Sequence, residues 1–231
     1  MTSRRVLVTG GTEGAGIGVT RALLDAGYQV VTTWIVEGEF ERARSALGGR
    51  AELRRVDVRR PEEVEAVVRE SDDTGGLWGL VHLVGGYRDG DPVARMDLDG
   101  LDRQLELNLR TLAVAMRAAL PGMVAHGGGR VVAVSSRAAV APFAGGGAYA
   151  ASKAGVIALV QAAAQEVKGN GVCVNCLLPS VVDTPANRSA MPDADHSSWV
   201  SPDELGAVVR FLVSPESSGV TGAAIPVYGR V

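Results

Sequence analysis

The chain has little of what marks several large protein classes. No stretch of its 231 residues approaches the roughly 18 consecutive apolar residues of a membrane-spanning helix. It carries no basic tract, and 23 Lys and Arg against 26 Asp and Glu leave a formal net charge of −3, which argues against nucleic acid as a partner. No repeat and no low-complexity linker divides it, so nothing calls for a second domain. Cysteine is reduced to two residues, Cys173 and Cys176, spaced as Cys-x-x-Cys inside the apolar run Gly171-Val172-Cys173-Val174-Asn175-Cys176-Leu177-Leu178. That run reads as a buried strand, and strand residues three apart point to opposite faces, so neither a disulfide nor a shared metal is expected. His82, His126 and His196 fall at a strand end, in a glycine-rich turn and in a loop, and no metal site is expected of them.

What is present is apolar sequence in a regular order. With 46% apolar residues the chain can bury one sizeable core. Its first residues, Met1-Thr2-Ser3-Arg4-Arg5, run into a strand instead of a secretory leader, and a cytoplasmic protein is expected. Strands are read near residues 4–9, 28–33, 51–56, 78–84, 130–135, 172–178 and 223–228, and helices near 15–26, 38–47, 61–70, 98–124, 148–169 and 202–213. Alternation of this kind implies an α/β fold: a Rossmann-like, doubly wound, seven-stranded parallel sheet with helices on both faces, one domain over 1–231. In such sheets ligands bind at the carboxyl ends of the strands, where Gly10, Gly85, Ser136 and Pro179 all stand.

Two patterns give that cleft a chemistry. Arg5-Val6-Leu7-Val8 runs into Thr9-Gly10-Gly11-Thr12-Glu13-Gly14-Ala15-Gly16, a glycine loop between a strand and a helix, which lets backbone amides approach a pyrophosphate. Tyr149 and Lys153, in Ala148-Tyr149-Ala150-Ala151-Ser152-Lys153, share a helix face at i and i+4, and Ser136 lies thirteen residues upstream of Tyr149. A neighbouring ammonium favours phenolate, so the Tyr149 pKa is expected to fall toward neutrality, where a general acid or base works best. Phe143-Ala144-Gly145-Gly146-Gly147 is expected to form a flexible approach to Tyr149, inside the site.

With Asp57-Val58, Leu83-Val84-Gly85-Gly86, Asn108 and Pro179-Ser180-Val181-Val182-Asp183-Thr184 in the same order, the chain resembles the short-chain dehydrogenase/reductase family over almost its whole length. The resemblance implies that Ser136 and Tyr149 hold a carbonyl oxygen and Tyr149 acts as general acid or base. It implies that Lys153 lowers the phenol pKa and binds the nicotinamide ribose, and that Asn108 holds a water for proton relay. It also implies a cofactor site of Gly10, Thr12, Glu13, Gly14, Ala15, Trp34, Asp57, Val58, Val84, Gly85, Gly86, Tyr149, Lys153, Pro179, Val182 and Thr184. Two departures stand out: Leu-Val-Gly-Gly replaces the family's Asn-Asn-Ala-Gly, and Ser180 replaces a glycine. The end of the second strand, Thr33-Trp34-Ile35, carries neither the acid that selects NAD nor the cation that accepts NADP. Glu13 would repel a 2′-phosphate, so of NAD(H) and NADP(H) the reading leans to NAD(H), with Glu37, Arg42 and Arg44 as nearby charges.

The segment at about 183–200 is the expected substrate loop and is similar to that of quinoid dihydropteridine reductases, which puts a planar heteroaromatic substrate beside Tyr87 or Trp199, whereas Ser136 as a substrate contact beside Tyr149 suits carbonyl and alcohol chemistry; Trp199 is equally suited to pinning the loop to the body. The expected activity is NAD(P)-dependent interconversion of a carbonyl and a secondary alcohol on a small molecule. Reduction of a planar heteroaromatic ring, or cofactor sensing without catalysis, are the alternatives. A homotetramer or homodimer through the two long helices is implied by the resemblance.

Overall fold

The computed structural model describes residues 4–72 and 75–230. Seven strands, β1 (Arg5–Thr9), β2 (Gln29–Trp34), β3 (Glu52–Arg55), β4 (Leu77–His82), β5 (Gly129–Val134), β6 (Val172–Pro179) and β7 (Ala224–Val227), pair in parallel in the order β3-β2-β1-β4-β5-β6-β7. Chain order reverses between β1 and β4, and the carboxyl ends of these two strands open the crevice where such sheets take ligands. The central strands are continuous apolar runs because both faces of the sheet are covered; every residue of β6 is buried.

One face is covered by α1 (Ala15–Asp25) and α8 (Pro202–Val213), whose Val19, Leu23, Leu205, Val209 and Leu212 pack on Val6, Val8, Val81 and Val132. α8 starts sharply: Ser201 and Glu204 form a reciprocal capping box, with Pro202 at the first helical position. The other face is covered by α3 (Pro61–Asp72), α5 (Thr111–Ala125) and α6 (Gly147–Val167), which bury Leu7, Leu80, Val131 and Val174. α2 (Glu37–Ala46) follows β2, and Glu37 stands at its start as a first-turn acid.

The expected strands and helices are found with shifts of one or two residues at most ends. The exception is the helix expected over 98–124, which is α4 (Leu98–Leu105), a wide π-turn at Glu106–Arg110, and α5. One residue more than an α-turn needs is accommodated there, and the inserted turn carries Asn108. Within the expected substrate loop the chain adds a short helix, α7 (Pro185–Ala190), capped by the Thr184 hydroxyl. Both cysteines are buried free thiols, Cys176 in the core beside α6 and Cys173 directed to the Ser218 carbonyl at 3.5 Å.

Candidate active site

The glycine loop leaves β1 after Thr9 and enters α1 through Gly10 and Gly14, whose φ angles of 74° and 52° lie in the left-handed region. It is fastened to the end of β2, where the Gly10 amide donates to Thr33 Oγ1 at 3.2 Å and Thr12 Oγ1 donates to the Thr33 carbonyl at 3.3 Å. A side chain at Gly16 would overlap the Gly10 carbonyl, so only glycine lets helix and loop close. A Cβ on Gly14 would stand 3.4 Å from Thr184 Cγ2, which places the loop across a cleft from the chain that follows β6. No side chain caps α1; the Gly16 amide turns back to the Glu13 carbonyl at 2.8 Å, and the other amides of the first turn take no side-chain partner that would compete with an anion. Backbone stripped of side chains, facing uncapped amides, fits a dinucleotide's pyrophosphate.

Farther along the cleft the expected adenosine residues are fastened to neighbours. Glu13 is exposed and pairs with Arg42 of α2 at 3.0 Å. The Trp34 ring lies 5.1 Å from Phe40, and its buried indole nitrogen has no hydrogen-bond partner. Arg59 grips both carboxylate oxygens of Asp57 at 2.9 and 2.7 Å, and this contact holds the carboxyl below its usual range. Val58 is buried beside it.

Ser136 follows β5 and caps a one-turn helix, its Oγ accepting from the Ala138 amide at 3.1 Å. Tyr149 stands in the first turn of α6, its phenol near enough to this hydroxyl for the serine to oppose a rise in the phenol pKa. Lys153, one turn on, is 4% exposed; its Nζ donates to the Val134 carbonyl at 2.9 Å and lies 6.0 Å from the Tyr149 ring centroid. The expected lowering of the phenol pKa is corrected by this geometry. Burial raises the Tyr149 pKa, only the neighbouring Ser136 hydroxyl opposing it, while burial lowers Lys153 to about 8. Sharing a helix face did not bring the ammonium onto the hydroxyl, because the amine is drawn beneath the ring to a strand carbonyl.

Asn108 joins the strand end to this centre. Its Oδ1 accepts from the Gly86 amide at 2.8 Å, and its Nδ2 reaches the Gly86 carbonyl, Gln104 Oε1 and Ser152 Oγ, each at 3.0 Å. Each polar atom of the side chain therefore has a protein partner, where the family resemblance implied a water. A Cβ on Gly85 would stand 2.7 Å from Asn108 Oδ1 and 2.8 Å from Lys153 Nζ, so glycine admits both groups. Behind them His82 is fully buried between Thr9 Oγ1 at 2.8 Å and Thr111 Oγ1 at 3.1 Å. The Thr111 hydroxyl gives its proton to the Leu107 carbonyl, so it accepts from His82 Nε2–H and leaves Nδ1 to accept from Thr9. Burial, aided by Lys153, pushes the His82 pKa down to about 3 and keeps the ring neutral.

On the open side, the Tyr87 ring meets the Tyr149 ring edge-on at 5.1 Å and Phe143 at 5.9 Å. The Tyr87 hydroxyl donates to Asp89, and burial together with that carboxylate pushes its pKa up to about 12. Trp199 is 6% exposed and stacks on His196 at 4.4 Å, the position of a residue that pins the substrate loop, not of one open to a substrate. Val182 pairs with Val200 across the base of that loop. Gln104 and Ser152 take part in this arrangement without having been singled out in the sequence, and His82 was read there only as the end of a strand. Ser152, directly before Lys153, was the readable one.

The short chain dehydrogenase family model matches residues 4–195. The 3-oxoacyl-[acyl-carrier-protein] reductase FabG of Vibrio cholerae is 31% identical over 96% of this chain and 95% of its own length. The cis-4-hydroxycyclohexanecarboxylate dehydrogenase of Sinomonas cyclohexanicum is 31% identical over 98% of this chain and 95% of its own. A short-chain type dehydrogenase/reductase from Mycobacterium ulcerans has a solved structure that superposes with a TM-score of 0.92 at 29% identity, covering 98% of this chain and 89% of that one.

Proposed function

The chain belongs to the short-chain dehydrogenase/reductase family and is a nicotinamide-dependent oxidoreductase that interconverts a carbonyl and an alcohol, and we propose that Tyr149 is the side chain that moves the proton. The observation that carries the proposal is the placement of the Tyr149 phenol beside the Ser136 hydroxyl, with Lys153 buried one turn further along the same helix. In reduction both hydroxyls bind the carbonyl oxygen; Ser136 is free to donate because its Oγ lone pair already takes the Ala138 amide. Tyr149 then releases its proton to that oxygen, and in oxidation it takes the proton back. The nicotinamide, when bound, supplies or accepts the hydride.

Gly10, Thr12, Gly14 and Ala15 are assigned to the pyrophosphate, Asp57 and Val58 to the adenine side, and Val84, Gly85, Gly86, Pro179, Val182 and Thr184 to the nicotinamide side. Lys153 is assigned with Tyr149 to the ribose, its amine anchored on the Val134 carbonyl. Asn108 fixes the Gly86 backbone and so sets the floor on which water resupplies the proton.

The preferred cofactor in this reading is NAD(H). Arg42, the cation nearest to Glu13, is engaged by that carboxylate, and a 2′-phosphate would have to break the pair while facing the acid. Reduction of a planar heteroaromatic ring is the weaker reading, because Trp199 is buried, and a Ser136–Tyr149 pair suits a carbonyl oxygen. A homodimer or homotetramer through α4, α5 and α6, at work in the cytoplasm, completes the proposal. No helix among the described residues is long and apolar enough to cross a membrane.

Tyr149→Phe tests the assignment. Ketone-dependent oxidation of NADH is expected to fall by about 100-fold or more, the range of general acid catalysis, with cofactor binding by calorimetry unchanged. Near-normal turnover in this variant removes Tyr149 from the proposal.

A further inference from the structure

The mouth of the site is lined by apolar side chains that the fold leaves uncovered. Tyr87 and Phe143 are each 49% exposed, yet they meet edge-on and Tyr87 continues onto the Tyr149 ring. Val93, 76% exposed, stands where a Cβ on Gly147 would be 3.4 Å from its Cγ2, two residues before Tyr149. Water-facing apolar surface gathered round one reacting hydroxyl is unfavourable in the free protein and points to a ligand.

This surface is built, not loose. The loop after β4 and the loop after β5 close on each other through glycines. A Cβ on Gly146 would sit 2.7 Å from the Phe143 ring, one on Gly145 2.9 Å from the Gly90 carbonyl, and one on Gly147 3.0 Å from Met96 Cε. The glycine run expected to be a flexible approach is therefore packed, and it holds Phe143 and Met96 against the entrance to Tyr149. Charge does not gather there: residues 87–97 carry Arg88 and Arg95 against Asp89, Asp91 and Asp97. Tyr87 brings a second phenol, but its proton is committed to Asp89. It offers an aromatic edge and no competing acid.

Resting on the reading of Tyr149 as proton donor, we infer that the substrate is a small neutral ketone, or its alcohol, whose carbonyl sits on an apolar ring, and that Tyr87 and Phe143 select it by packing against that ring. A long acyl chain on a charged carrier would need cations along its path, and residues 87–97 supply none in excess. A polar heteroaromatic ring would need hydrogen-bond partners where the Tyr87 and Phe143 rings and Val93 present carbon.

The test is a substrate panel on the full chain with NADH: cyclohexanone, acetophenone, acetone, a 3-oxoacyl coenzyme A thioester and quinonoid dihydropterin. The ring ketones are expected to give the highest kcat/KM. Phe143→Ala and Tyr87→Ala should each lower it about tenfold for ring ketones, mostly through KM, while acetone changes little. Tyr87→Phe, which keeps the ring, should preserve the preference for ring ketones over acetone that Tyr87→Ala loses. If the thioester or the pterin exceeds the ring ketones, or if both alanine variants leave the ring ketones unaffected, the inference fails. If Tyr149→Phe keeps its turnover, the proton-donor reading fails by itself. If no member of the panel is turned over, both fail.

Discussion

At the scale of single residues, burial governs ionisation at the centre of the site and pushes both partners toward neutrality. The phenol of Tyr149 is raised and the amine of Lys153 lowered to about 8. In the free protein the phenol is therefore protonated at neutral pH, the form that reduces a ketone, whereas alcohol oxidation needs phenolate. Ketone reduction is expected to hold through neutral pH and to decline only in alkali, while alcohol oxidation climbs with pH; kcat/KM measured in both directions across pH checks the pair. Sequence spacing could show that Tyr149 and Lys153 share a face, but not that the amine would find Val134. A second prediction concerns Glu13. Glu13→Gln removes the acid and releases Arg42, and is expected to raise kcat/KM for NADPH relative to NADH by about tenfold or more, since each 1.4 kcal/mol of regained attraction is worth that factor. An unchanged ratio would show that the Glu13–Arg42 pair plays no part in cofactor choice.

At the scale of elements, the π-turn between α4 and α5 ties the strand end to the catalytic helix. Through Asn108 it holds both polar groups of Gly86 and the hydroxyl of Ser152, which itself donates to the Tyr149 carbonyl at 2.7 Å. Asn108→Ala leaves the Gly86 amide and carbonyl without these partners, so a loss of about 1–3 kcal/mol in denaturant unfolding is expected. It should also lower kcat by more than any fall in thermal stability accounts for. Seven strands and most helices were readable because parallel strands buried on both sides are unbroken apolar runs, and because Pro61 at a helix start and Gly27 and Gly48-Gly49 after helix ends punctuate the helices. The π-turn was not. Leu105, Leu107 and Leu109 continue an apolar pattern through it, and an inserted residue changes hydrogen bonding without changing composition. The glycines at 145–147 misled for a related reason: a sequence shows that side chains are absent, not which neighbours fill the space.

At the scale of the whole molecule, buried titratable groups make stability depend on pH. His82 takes up a proton only near pH 3 when folded but near 6.5 when unfolded, so the unfolded chain binds the extra proton between these values. Stability is expected to fall as pH drops from 6.5 toward 3 and to be untouched by this group above 6.5. His82→Val should flatten that part of the slope in urea melts taken at several pH values; an unchanged slope would put the sensitivity elsewhere. Lys153 acts at the other end: between about 8 and 10.5 the folded amine has lost a proton that the unfolded one keeps, and stability rises with pH across that interval. The seclusion of Lys153 has a practical side. The chain has only two lysines, and Lys168 just past the far end of α6 is the exposed one, roughly 28 Å along the helix from Tyr149 at 1.5 Å per residue. Tethering the protein to a bead or a dye through side-chain amines would thus grip it by its tail and leave the mouth of the cleft facing outward.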